Sequence, residues 1–156
     1  MATFVIPHRV NGKTRLGDAR LTEAMLEDVR AAAPGALVVD APGGQGRALA
    51  AALAGLRGPV TIVNSDVPCV TTAELEELGA AAPALVAAND GTTNALALRD
   101  ARDFVPLYGA GSAARFEERL GAKRLDLAGL RDDVDTWDDL QRIRDRVGTH
   151  TRAYLG

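Results

Sequence analysis

Asp133 and Asp135 stand one residue apart in the segment RDDVDTWDDL. In extended backbone that spacing puts both carboxylates on the same side of the chain. Two like charges held together are costly unless a cation or a ligand lies between them. A third acid, Asp66, follows the β-branched run 60–63 by three residues in VTIVNSDVP. A carboxylate just past the end of a buried strand is placed to bind a divalent cation that bridges phosphates. Each acid also has a plainer structural reading. Asp66 with Pro68 makes a stiffened turn. Asp135 and Thr136 cap a final helix, with Asp138 and Asp139 favourable in its first turn.

Three other segments carry groups suited to anions. IPHRVNGKTRL places Arg9, Lys13 and Arg15 around Gly12. Cationic side chains beside backbone amides suit phosphate, although the GxxxxGK[ST] spacing of a P-loop is absent. A solvated basic loop is the alternative. NDGTTNALAL offers Gly91, where the backbone can bend tightly, with Thr92, Thr93 and Asn94 beside it. Asp-Gly is equally a strong hairpin signal. YGAGSAARF sets Gly109 and Gly111 ahead of Ser112 at a helix start, an N-cap and also a ready anion site. His8 and His150 lack ligand spacing. Cys69 is expected to pack beside Pro68, and Trp137 to anchor the last helix.

These groups need elements to position them. Residues 3–7 read as a strand, and 18–32 as a helix from the spacing of Leu21, Met25 and Val29. Residues 36–40 form a second strand, and PGGQG, ending in Gly46, a turn. A helix over 47–56 stops at Arg57-Gly58-Pro59. The β-branched run 60–63 suits a strand buried on both faces. Helices are expected at 72–81, 112–120 and 136–147, and strands at 85–88, 95–98 and 124–127. Strand–helix alternation predicts a three-layer α/β/α, Rossmann-like domain with a mainly parallel sheet. Its ligands should bind at the carboxyl ends of the strands.

The 156 residues suit one domain spanning 1–156. Net charge is -3, with both signs mixed along the chain, so no basic patch argues for nucleic acid. No apolar run approaches the roughly 18 residues needed to cross a membrane. The N-terminus does not read as a signal peptide. One cysteine excludes an internal disulfide and fits a reducing cytoplasm.

Taken in order, the basic loop, Ser65-Asp66-Val67-Pro68, the run from Gly91 to Leu96, Tyr108 to Ser112 and Asp133 to Leu140 resemble one nucleotidyltransferase family of the glycosyltransferase-A-like fold. It is the family of phospholactate or phosphoenolpyruvate guanylyltransferases of deazaflavin coenzyme biosynthesis. The resemblance runs nearly end to end, although the chain is one strand–helix unit shorter than usual. It implies GMP transfer from GTP to 2-phospho-L-lactate or phosphoenolpyruvate, with release of pyrophosphate. It implies Mg²⁺ held by Asp66, Asp133 and Asp135, and nucleotide phosphates on Arg9, Gly12, Lys13, Arg15 and Gly46. Lys13, Arg15 and Asp66 would be catalytic. The acceptor would lie on Gly91, Thr92, Thr93, Asn94, Gly109, Gly111 and Ser112. A homodimer is compatible with this reading.

The chain also departs from the family. GRALAA stands at 46–51 where the family has Gly-Leu-Asn-Ala-Ala-Leu, a stretch expected to contact the base. Two alternatives therefore stand beside the guanylyltransferase: a related nucleotidyltransferase with another base or acceptor, and a shortened non-catalytic homologue that binds a phosphorylated small molecule or a partner chain.

Overall fold

The structure is a computed structural model and describes residues 2–8, 17–40 and 45–156. Its elements in chain order are β1 (Thr3–His8), α1 (Ala19–Ala32), β2 (Leu37–Asp40), α2 (Gln45–Leu53), β3 (Val60–Val63), α3 (Thr72–Ala80), β4 (Ala84–Ala87), β5 (Thr93–Leu98), a 3₁₀ turn (Ala101–Asp103), α4 (Ser112–Leu120), β6 (Lys123–Arg124), α5 (Ala128–Arg131), α6 (Trp137–Ile143) and α7 (Thr149–Leu155). Among the described residues the strands form one sheet in the order β2-β1-β3-β5-β4-β6.

Strand β1 runs parallel to β2 and β3, and β4 parallel to β6. Strand β5 alone is reversed, antiparallel to both β3 and β4. Asp90-Gly91 closes the β4–β5 hairpin, with Gly91 at φ +86°, a conformation few side-chain-bearing residues adopt. This reversal matters for function. It brings the start of β5, with Thr93 and Asn94, to the sheet end where β1 and β3 finish.

Alternation along the strands feeds two cores. Ile6, Val63 and Val86 pack with Leu26 and Val29 of α1, Leu75 and Leu78 of α3, and Leu130 of α5. Val5, Ile62, Leu85 and Leu96 pack with Leu49 and Leu53 of α2 and Phe116 of α4. Each such side chain contributes about 1.5–3 kcal/mol when fully buried. Helices therefore cover both faces, as the strand–helix alternation predicts. Helix α3 starts on a Thr71 capping box, with Thr71 and Glu74 each accepting from the other's backbone N–H.

Three expectations need correction. The helix expected over 136–147 ends at Ile143, and a separate α7 follows from Thr149. The break is fixed at Gly148, where a Cβ would run into the Asp28 carboxylate. Buried Asp28 instead accepts 2.9 Å hydrogen bonds from the His150 and Thr151 N–H groups and docks α7 on α1. The strand expected at 124–127 shrinks to a two-residue edge, Lys123–Arg124. Trp137 is 40% exposed and does not anchor α6; Leu140 and Ile143 do, against Leu21 and Met25 of α1. No helix among the described residues is long and apolar enough to cross a membrane.

Candidate active site

A cavity of about 500 Å³ opens at the shared end of β1, β3 and β5. Its wall includes Asp66, Asp133 and Asp135, which come from distant parts of the chain. Asp66 lies three residues past β3. The Val134 N–H donates to the Asp66 carbonyl at 2.9 Å and pins the two acidic segments side by side. One carboxylate oxygen from each of the three acids lies within 4.8 Å of the others. Three hard oxygen donors so grouped suit a small divalent cation.

The surroundings hold these acids in place. Asn94 Nδ2 donates to the Leu130 and Arg131 carbonyls at 2.9 Å each, and reaches Asp133 Oδ1 at 3.3 Å. Asp139 Oδ2 accepts from the Asp135 N–H at 2.9 Å and the Thr136 N–H at 3.0 Å. Thr136 is the N-cap of α6 and completes a capping box with Asp139. The structural reading of DVDT as a helix start thus holds together with its acids lining the cavity.

Thr93 and Ser112 line the same cavity; Thr93 Oγ1 lies 2.8 Å from Ser112 Oγ, and both residues are buried. The N-cap of α4 is Gly111, at φ +74°, and Ser112 is the first helical residue. Its hydroxyl turns inward to Thr93 instead of closing the helix end. Gly109 lines the cavity as well. Gly91 does not line it, and its N–H donates to the Ala88 carbonyl at 3.0 Å. The Thr92 N–H and hydroxyl both go to Asp90 Oδ1, at 3.0 and 2.6 Å. These backbone amides serve the hairpin turn, while Thr92, Thr93, Asn94 and Ser112 all line the cavity.

Gly46, at the start of α2, lines the cavity, where an added Cβ would approach Pro106 Cβ to 3.0 Å. Arg9, Gly12, Lys13 and Arg15 lie outside the described residues. The structure adds groups to which the motif reading gave no role. Gln45 Nε2 donates to Asn64 Oδ1 at 2.7 Å, and Asn64 Nδ2 donates to the Thr93 carbonyl at 3.1 Å. Tyr108 lines the cavity with its ring edge-on to Phe116, 5.3 Å between centroids, and burial pushes its phenol pKa up. His8 ends β1 in the cavity wall, 6% exposed, with Nδ1 2.8 Å from Ser65 Oγ. Burial lowers its pKa, against the charges of Glu23, Asp40 and Asp66. Position past a strand's carboxyl end, the rule that singled out Asp66, applies equally to His8 and Asn64.

The chain is 41% identical over 93 residues to a phosphoenolpyruvate guanylyltransferase of Streptomyces scabiei, covering 54% of this chain and 43% of that protein. It is 37% identical over 92 residues to one from Sphaerobacter thermophilus, covering 53% and 44%. It is 35% identical over 105 residues to phosphoenolpyruvate guanylyltransferase 2 of Rhodococcus jostii, covering 63% and 49%. This chain is similar to phosphoenolpyruvate guanylyltransferases. The matches span less than half of each of these relatives. No family model matches the chain.

Solved structures share the fold. One, described as a nucleotide-diphospho-sugar transferase of Desulfovibrio desulfuricans G20, superposes with a TM-score of 0.66 at 18% identity, covering 99% of this chain and 94% of that one. Another, an Rv0371c homologue from Mycobacterium sp. strain JC1, gives a TM-score of 0.59 at 20% identity, covering 96% and 98%. The Rossmann-like α/β fold is thus shared along almost the whole chain.

Proposed function

We propose that this protein is a nucleotidyltransferase that moves GMP from GTP onto a phosphorylated three-carbon acid, phosphoenolpyruvate or 2-phospho-L-lactate, and releases pyrophosphate. The single observation that carries the reading is the cavity itself. The acid cluster and the buried Thr93–Ser112 hydroxyl pair both line it, and its volume is about 500 Å³. The similarity to phosphoenolpyruvate guanylyltransferases supports the choice of substrates.

In this reading the hydroxyls of Thr93 and Ser112 bind the acceptor's phosphate and aim one of its oxygens at the α-phosphorus of the nucleotide. That oxygen is already ionised, so no side chain has to remove a proton from it. A new P–O bond forms, the bond from the α-phosphorus to the bridging oxygen breaks, and pyrophosphate leaves with the electron pair. Rate enhancement then comes from alignment and charge neutralisation. Asp66, Asp133 and Asp135 would hold Mg²⁺, for which three clustered carboxylates are a fitting donor set. When bound, the ion supplies Lewis-acid stabilisation of negative charge on the phosphates. Asn94 and Asp139 hold the acidic segment in register, and Tyr108 closes the cavity wall with its ring. The resemblance assigns Arg9, Lys13 and Arg15 to the nucleotide phosphates. The reaction would be cytoplasmic, in keeping with a single buried thiol whose pKa is pushed up to about 11 by burial.

A second reading, transfer from a different nucleotide, is favoured by one position. Ala48 stands where the resemblance expects an asparagine that contacts the base. The test is incubation with each of the four ribonucleoside triphosphates, Mg²⁺ and either acid, with pyrophosphate as the readout. Release with GTP and a phosphorylated acid together supports the proposal. Release with another nucleotide moves it to the second reading, and no release in any combination leaves a binding protein.

A further inference from the structure

We infer that His8 is a nucleotide-contacting residue that donates a hydrogen bond from Nε2 to an oxygen of the bound nucleotide. The inference rests on the proposed function and adds a contact that none of the sequence motifs supplies. His8 is more than nine-tenths buried in the cavity wall. Its Nδ1 is engaged by Ser65 Oγ at 2.8 Å, while its buried Nε2 has no hydrogen-bond partner among the described residues. The nearest carboxylate, Glu23 Oε2, is 3.9 Å from Nε2, beyond hydrogen-bond reach.

The carboxylate on the Nε2 side favours one tautomer. Glu23, Asp40 and Asp66 all act on the ring, and Glu23 lies on the Nε2 side. Negative charge there favours a proton on Nε2, with the Ser65 hydroxyl donating to Nδ1. A buried N–H without an acceptor is unfavourable, and a ligand oxygen satisfies it.

Topology selects the ligand. The Thr93–Ser112 pair lies on β5 and α4. His8 ends β1, in register with Asp40 of β2 and beside the end of β3. For in-line displacement the donor nucleotide must lie opposite the acceptor, and that is the side of His8.

The test compares two substitutions by calorimetric titration. His8→Gln keeps an amide where Nε2 lay and gives up the Ser65 contact. His8→Asn keeps a partner for Ser65 and gives up the outer donor. His8→Asn should weaken GTP binding by about tenfold, as expected when one hydrogen bond to a charged or hydroxyl oxygen is lost. His8→Gln should stay much closer to the wild type, and phosphoenolpyruvate should bind all three proteins alike. Inorganic tripolyphosphate and 2′-deoxy-GTP separate the two sources of the oxygen. A parallel loss for tripolyphosphate marks a phosphate oxygen. A His8→Asn effect seen with GTP and absent with 2′-deoxy-GTP marks the ribose. Unchanged GTP binding in His8→Asn, equal losses in both variants, or a loss confined to phosphoenolpyruvate overturns the inference and leaves the proposed function standing. A wild type that binds no GTP overturns both.

Discussion

Asn94, the second residue of β5, reaches Asp133, 39 positions later in the chain: its Nδ2 lies 3.3 Å from Asp133 Oδ1 and 2.9 Å from the Leu130 and Arg131 carbonyls. The residue therefore acts as a brace between the reversed strand and the acidic segment. Its amide nitrogen is directed to the protein itself. Asn94→Leu should strand two carbonyls and release Asp133, lowering stability by about 1–3 kcal/mol. It should also weaken divalent-cation binding. Thermal unfolding with and without Mg²⁺ checks both effects, and a variant as stable as the wild type with equal Mg²⁺ stabilisation would contradict the brace.

The hydroxyl pair predicts a selective defect. Thr93→Val keeps the volume and removes the hydroxyl, and Ser112→Ala removes its partner. Each should weaken phosphoenolpyruvate or phospholactate binding by roughly 1–3 kcal/mol, the usual loss for a hydrogen bond to a charged group. GTP binding should change far less. Titration with each ligand separately decides it. Damage to GTP binding with the acid spared would mean that the two halves of the cavity are reversed.

Asp28 docks α7 through two backbone N–H groups. Asp28→Ala removes both acceptors from a buried position and should cost about 2 kcal/mol or more. Gly148→Ala should do comparable damage, because its Cβ would meet the same carboxylate. Hydrogen exchange should then accelerate in 149–155 before the sheet is affected. Uniform protection in either variant would show that α7 is held by other contacts.

Asp132 gives a pH signature. Burial alone would raise its pKa, but hydrogen bonds from Arg131 and Arg146 outweigh burial and hold the carboxyl below its ordinary value of 3.8. A group with a lowered native pKa binds fewer protons folded than unfolded, so stability rises with pH across that interval. The contribution is present above 3.8 and is lost as pH falls toward the native pKa. Asp132→Asn should be less stable at neutral pH, and the gap to the wild type should close in acid. A gap that stays constant with pH would place the effect in packing.

Much of this was legible in the sequence because local chemistry and tertiary structure agree. The strand at 60–63, VTIV, is β-branched throughout and is buried throughout. Strand-end position and period-two spacing single out Asp66, Asp133 and Asp135 as candidate cation ligands, and the fold brings the three carboxylates within 4.8 Å of one another. Other features depend on partners far away in the chain. The division of the last helix depends on Asp28, more than a hundred residues earlier. Asn94 reads as a ligand residue in its own loop, yet its amide nitrogen faces carbonyls of α5. His8 lacks metal-ligand spacing, and only the pairing of β1 with β3 places it beside Ser65.

The most direct test of the account is pyrophosphate release from GTP and phosphoenolpyruvate by the wild type, Asp66→Asn and Asp135→Asn, across a Mg²⁺ titration. The account predicts release that requires both substrates and the metal. It predicts a loss on the order of a hundredfold or more in each variant, since each removes several kcal/mol of transition-state charge stabilisation. Full release without a divalent cation, or wild-type rates in either variant, would contradict it.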